Sequence, residues 1–175
     1  MSNIQLAINW AINKCNASNI GYSQAYRNQQ TVGGVTYYDC SSFIWYALKA
    51  AGFDVEKAYK TATGTAYSGN AITTHNMDKW LKALGFTRYD PTATAWQQGD
   101  VMLVHNDSHQ HTEMVYDGAA KRCMGPNSGV RKTLLQPNSP RPAAYAATRI
   151  SIMTSGCGLS GATGVLLNLS GSSHA

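Results

Sequence analysis

Apolar residues recur at helical spacing over three stretches in the first half of the chain. Between residues 3 and 16 they are Ile4, Ala7, Ile8, Ala11, Ile12 and Cys15, which fall on one side of a 3.6-residue helix. From Cys40 they are Phe43, Ile44, Ala47, Leu48 and Ala51, and Gly52 supplies the left-handed stop expected just past a helix. A third helix begins near Thr73-Thr74, either of which can cap it. It carries Met77, Trp80, Leu81 and Leu84 on one face and closes at Gly85. Residues 22–35 read as a polar loop or short irregular segment. Residues 60–72, rich in Thr, Ala and Gly without periodicity, read as a loop.

After Asp90-Pro91 the pattern changes from helical to extended. Strands are expected over 101–105, 112–117, 122–125, 130–135 and 145–153. Helices first and strands afterwards predict an α+β domain with an antiparallel sheet, the helix that begins at Cys40 packing across it. From Thr154 the chain turns to Gly and Ser, broken only by Val165-Leu166-Leu167. Residues 1–153 are therefore read as the domain and 154–175 as a tail or linker.

Composition narrows the class. In 175 residues, 43% apolar content is enough for a single core, while only 13% are charged. The net charge of +5 comes from scattered basic residues, apart from Lys121-Arg122 and Arg131-Lys132. That is not a nucleic-acid footprint. Cysteines at 15, 40, 123 and 157 form no CxxC pair, so a disulfide framework is not expected and the thiols are read as reduced. Met1-Ser2-Asn3-Ile4-Gln5 lacks the basic and apolar regions of a secretory signal, and no apolar run is long enough to span a membrane.

The chemistry gathers at Tyr37-Tyr38-Asp39-Cys40-Ser41-Ser42-Phe43. Asp39 sits where an N-cap belongs, which makes Cys40 the first helical residue. Free amide hydrogens at a helix start favour thiolate over thiol, so Cys40 is a candidate nucleophile as well as a candidate small apolar filler. Cys15 lies on the buried stripe of the first helix and is read as structural. A nucleophilic thiol needs a base. Of five histidines, His75 and His174 read as surface residues, and His105, His109 and His111 surround a loop of Asn, Asp, Ser and Gln. Such a loop does not fix a metal geometry, so no metal is expected.

His111 is placed by secondary structure because it opens the strand at 112–117. With Gly118-Ala119-Ala120 as a three-residue turn, Asp117 faces Lys121 and His111 faces Asn127; a slip of one residue brings Pro126 or Ser128 instead. The Asn127 amide oxygen would fix the imidazole tautomer. Glu113 competes for that role, but residues two apart on a strand are roughly 6.5–7 Å apart, which is long for a direct hydrogen bond.

These residues resemble a known family. Gly21-Tyr22-Ser23-Gln24…Arg27 followed by Tyr38-Asp39-Cys40-Ser41-Ser42-Phe43 resembles the N-terminal half of bacteriophage peptidoglycan amidases, within the NlpC-type and CHAP group of papain-like cysteine hydrolases. Trp96-Gln97-Gln98-Gly99-Asp100-Val101 resembles their lead into the first strand, and His111-Thr112-Glu113-Met114-Val115-Tyr116 their histidine strand. The resemblance implies helices packed on about five or six antiparallel strands, Cys40 as nucleophile and His111 as base, with no cofactor. Asn127 is the best fit to the third group, which varies among members.

It implies an endolysin that cleaves an amide bond of the stem peptide, as N-acetylmuramoyl-L-alanine amidase or endopeptidase. Synthesis in the host cytoplasm would be followed by holin-type release to the wall. A wall-binding domain beyond the Gly/Ser tail, and contact of the basic residues with teichoic acid, are part of the same picture. Tyr22, Tyr38, Asp39 and Glu113 are the candidates to meet substrate, with packing or helix capping as their plainer roles. Arg27 is read as an anchor for the loop before the nucleophile. The alternatives are a non-catalytic wall-binding or virion structural module of the same fold, and acyl transfer to an amine.

Overall fold

The computed structural model describes residues 2–90, 95–105, 110–119, 122–126, 151–152 and 165–169. The chain opens with helix α1 (Asn3–Asn16), capped by the Ser2 hydroxyl, which accepts from the Gln5 amide. Its buried residues are Ile4, Ala7, Ile8, Ala11 and Cys15, the stripe expected from their spacing. A small sheet follows, made of β1 (Ile20–Tyr22), β2 (Gln30–Val32) and β3 (Val35–Tyr38), in the order β1-β3-β2. The segment read as an irregular loop therefore holds three short strands, β1 lying parallel to β3 and β2 antiparallel to it.

Helix α2 (Cys40–Ala50) is the centre of the core, with Phe43, Ile44, Trp45, Ala47 and Leu48 wholly buried. Gly52 just beyond it has φ 84°, the left-handed stop the sequence calls for. Helix α3 (Val55–Thr63), capped by Asp54, was not expected and occupies part of the region read as a loop. Helix α4 (Thr74–Ala83) starts after Thr73, whose amide donates to the Asn76 side chain, and buries Met77, Trp80 and Leu81. Trp45 sits at the junction of these helices, 4.7 Å from the Tyr67 ring in a stacked arrangement and edge-on to Trp80 at 5.3 Å.

The second sheet holds β4 (Phe86–Tyr89), β5 (Val101–His105), β6 (Gln110–Asp117), β7 (Arg122–Gly125), β8 (Ser151–Ile152) and β9 (Val165–Leu169), in the order β4-β9-β5-β6-β7-β8. Every neighbouring pair in it is antiparallel. The α+β class is as the sequence implied. The domain boundary is not: β9 lies within 154–175, the segment read as a tail, and fills the slot between β4 and β5. Three consecutive apolar residues are enough to make a buried strand when both neighbours supply hydrogen bonds, and Leu167 is fully buried there.

Two more expectations change. The β6–β7 hairpin keeps the predicted register at Val115↔Cys123 and Met114↔Met124, but a bulge after Val115 puts Arg122, not Lys121, opposite Asp117. Cys123 is disulfide-bonded, so the reading of the thiols as uniformly reduced is corrected. Cys15 and Cys40 are free. The expected strand at 130–135 lies outside the described residues, as does Asn127.

The Gly-Asp pair before β5 has a geometric reason. Gly99 has φ 91°, and a Cβ there would lie 2.8 Å from Ile4 Cγ1, so glycine lets the turn press against α1. Its amide donates to the Val115 carbonyl, the Val115 amide donates to the Asp100 carbonyl, and the Asp100 carboxylate accepts from the Gln97 amide. This turn ties the start of β5 to the strand that carries His111.

Candidate active site

Asp39 and Cys40 stand where β3 runs into α2. The Asp39 Oδ1 atom accepts from the Ser42 amide at 2.7 Å and from the Ser41 hydroxyl at 3.1 Å, while the Ser42 hydroxyl receives the Asp39 amide at 2.9 Å. This reciprocal cap fixes Cys40 as the first residue of the helix, as predicted. Cys40 is 6% exposed, so its sulfur lies at the edge of the core with limited access to solvent.

His111 reaches the same place from β6, and its side chain is hydrogen-bonded to that of Cys40. Its Nε2 lies 3.2 Å from Glu113 Oε1, with the Glu113 side chain fully buried. This corrects the expectation that Glu113 lies too far along the strand. The strand repeat separates Cα atoms, whereas a glutamate has three further bonds with which to lean along the strand direction. Burial alone pushes the imidazole toward its neutral form. Hydrogen bonds to Cys40 and Glu113, and the charges of both, outweigh burial and raise His111 from 6.5 to about 10.

Of the four residues expected to meet substrate, three are buried and engaged by protein groups. Tyr38 is 0% exposed, and its hydroxyl accepts from Gln29 Nε2 at 3.0 Å. Burial pushes that phenol up despite the glutamine. Asp39 is 2% exposed, its second oxygen 2.9 Å from Arg27 Nη1. Glu113 is turned to His111. All three side chains are thus held by protein groups around Cys40 and His111. Tyr22 alone is partly exposed, with its hydroxyl accepting from Gln24 Nε2 at 2.5 Å.

Cys15 keeps its structural role. Burial, partly offset by a hydrogen bond from the Gly125 amide, pushes its thiol up to about 12, and the neighbouring Glu113 charge adds to the shift. No group of three or more His, Cys, Asp or Glu side chains able to hold a metal occurs among the described residues.

The arrangement is an α+β domain whose helix start presents a thiol to an imidazole backed by a carboxylate. Residues 3–119 match the family model described as bacteriophage peptidoglycan hydrolase, a span that includes Cys40, His111 and Glu113 and stops short of Asn127. The chain belongs to that family, and its role is that of a hydrolase acting on the peptidoglycan cell wall. No curated protein and no solved structure matches it. Among the described residues, no helix is long and apolar enough to cross a membrane.

Proposed function

We propose that the chain is a papain-like cysteine amidohydrolase that cleaves an amide bond of the peptidoglycan stem peptide, either at its junction with muramic acid or within the peptide. The observation that carries this reading is His111 hydrogen-bonded at once to Cys40 and to buried Glu113. With Nε2 engaged by Glu113, the other ring nitrogen is left for the thiol. Glu113 then takes the orienting role expected of Asn127, because an imidazolium whose N–H donates to a carboxylate is fixed in both tautomer and angle.

In the reaction, the Cys40 proton passes to His111 and the thiolate sulfur attacks the amide carbonyl carbon. The resulting oxyanion is met by the Cys40 backbone N–H, a first-turn donor without an intrahelical acceptor. The intermediate collapses with C–N cleavage, and His111 gives its proton to the departing amine, which leaves a thioester on Cys40. A water molecule deprotonated by His111 attacks that thioester. The products are a carboxylate and the restored thiol.

The test is a digest of purified cell walls by the wild type and by Cys40→Ala, with products read by mass spectrometry. New amino groups that vanish in the variant are expected, and the fragment masses identify the bond. Equal release by a folded Cys40→Ala protein would refute the thiol mechanism. Walls bound but uncut by both proteins would favour the binding-module alternative.

A further inference from the structure

Asp39 raises a physical difficulty that its capping role does not solve. A neutral serine or asparagine caps a helix about as well. A carboxylate next to the nucleophile opposes formation of the thiolate, and burial removes the water that would screen it. Arg27 answers that difficulty. Its Nη1 lies 2.9 Å from Asp39 Oδ2, with 11% of the arginine side chain and 2% of the aspartate exposed, and its Nη2 donates to the Asn70 carbonyl at 3.4 Å.

The loop that carries Arg27 is held by several independent contacts. Asn28 and Gln29 have φ of 68° and 65°, in the left-handed region that residues other than glycine rarely adopt. The Gln29 amide donates to the Tyr37 carbonyl, its side chain donates to the Tyr38 hydroxyl, and the Tyr46 hydroxyl donates to the Asn28 carbonyl. Asn28 also bonds to the Asn70 side chain. A strained turn fixed from β3, α2 and the Asn70 turn delivers one guanidinium to one buried carboxylate.

We propose that Arg27 is a positioning residue for the nucleophile, holding Asp39 in its capping geometry and cancelling its charge beside Cys40. The proposal rests on Cys40 and His111 being the reacting pair. Among the described residues, the titratable and charged groups around that pair are Asp39 at the helix cap, Arg27 on its loop, Glu113 on β6, Cys15 on α1 beside Glu113, and the Tyr38 hydroxyl on β3. The Arg27–Asp39 pair places a charge and its countercharge at the cap of α2.

The experiment uses the full chain and measures two quantities against pH: wall-hydrolysis kcat/KM, and the rate at which iodoacetamide alkylates Cys40, followed by peptide mass. Arg27→Met is expected to move the acid limb of both profiles up by about one pH unit, because it uncovers the Asp39 charge. Arg27→Lys keeps the charge and is expected to stay close to wild type. Arg27→Met combined with Asp39→Asn should bring the limb back, whereas Asp39→Asn alone moves it down.

A merely structural Arg27 would lower the thermal midpoint in both arginine variants without displacing the limb. An unmoved limb in folded Arg27→Met, or a double variant that fails to restore it, would overturn the proposal. Should Arg27→Met not fold, Arg27→Gln is read in the same way: an acid limb displaced upward supports the proposal and an unmoved one refutes it. Activity retained in Cys40→Ala would instead defeat the underlying reading of the thiol.

Discussion

His111 Nε2 and Glu113 Oε1 lie 3.2 Å apart, on one strand and two residues from each other. The carboxylate has no exposed surface and the imidazole side chain is 15% exposed. The imidazole thus has a carboxylate partner within its own strand. The pair also contains its own register, because no slip between strands can separate the two groups.

Glu113→Gln is expected to keep the fold and remove the negative charge that helps to hold the proton on His111. His111 stands at about 10 against an ordinary 6.5, with Cys40 and Glu113 both raising it. Losing one of them brings it down. The alkaline limb of kcat/KM should therefore move to lower pH, and kcat should fall by roughly 10²-fold or more. A pH profile of wall hydrolysis from 5 to 11 checks both. An unmoved alkaline limb would return the orienting role to another group.

Two glycine substitutions should separate strain from collision. A Cβ on Gly118 would lie 1.9 Å from the Trp96 carbonyl oxygen, so Gly118→Ala must displace backbone and is expected to cost about 3 kcal/mol. Gly52 has φ 84° with open space around it, so Gly52→Ala bears only the left-handed penalty, about 1 kcal/mol. Urea denaturation of both variants gives the ordering directly.

Truncation after residue 153, the boundary the composition implied, should not yield a stable domain. It deletes β9, and with it the two ladders through which β4 is joined to β5 and so to the rest of the sheet. The shortened protein is expected to be insoluble or to lack a cooperative thermal transition. A soluble, cooperatively melting 1–153 fragment would contradict this.

What could be read from the sequence follows the strength of its periodic signals. Helices α1, α2 and α4 each repeat their apolar face for at least two turns, and glycines with φ 84° and 95° follow α2 and α4. The cap at Asp39 and the thiol at Cys40 were legible for the same reason, since helix starts carry local chemistry. Strands β1 to β3 are three or four residues long, too short to show alternation. Helix α3 was hidden by its Lys, Glu and Thr content, with only Val55, Ala58 and Tyr59 buried. Glu113 ranks behind Asn127 in the sequence because backbone spacing there stands in for side-chain reach, and β9 is hidden because glycine and serine on both sides of it resemble a linker.

The place of β9 gives the molecule an order of assembly. Residues 86–89 and 101–105 are synthesised long before 165–169, yet their strands meet only through that late segment. Until it emerges, β4 and the outer edge of β5 have no partner, and β6 with His111 rests on an incomplete sheet. Closure of the fold therefore waits for residues 165–169 and joins parts of the chain far apart in sequence, a pairing that is intrinsically slow. A nascent chain would carry the thiol and the imidazole well before the sheet behind them is complete.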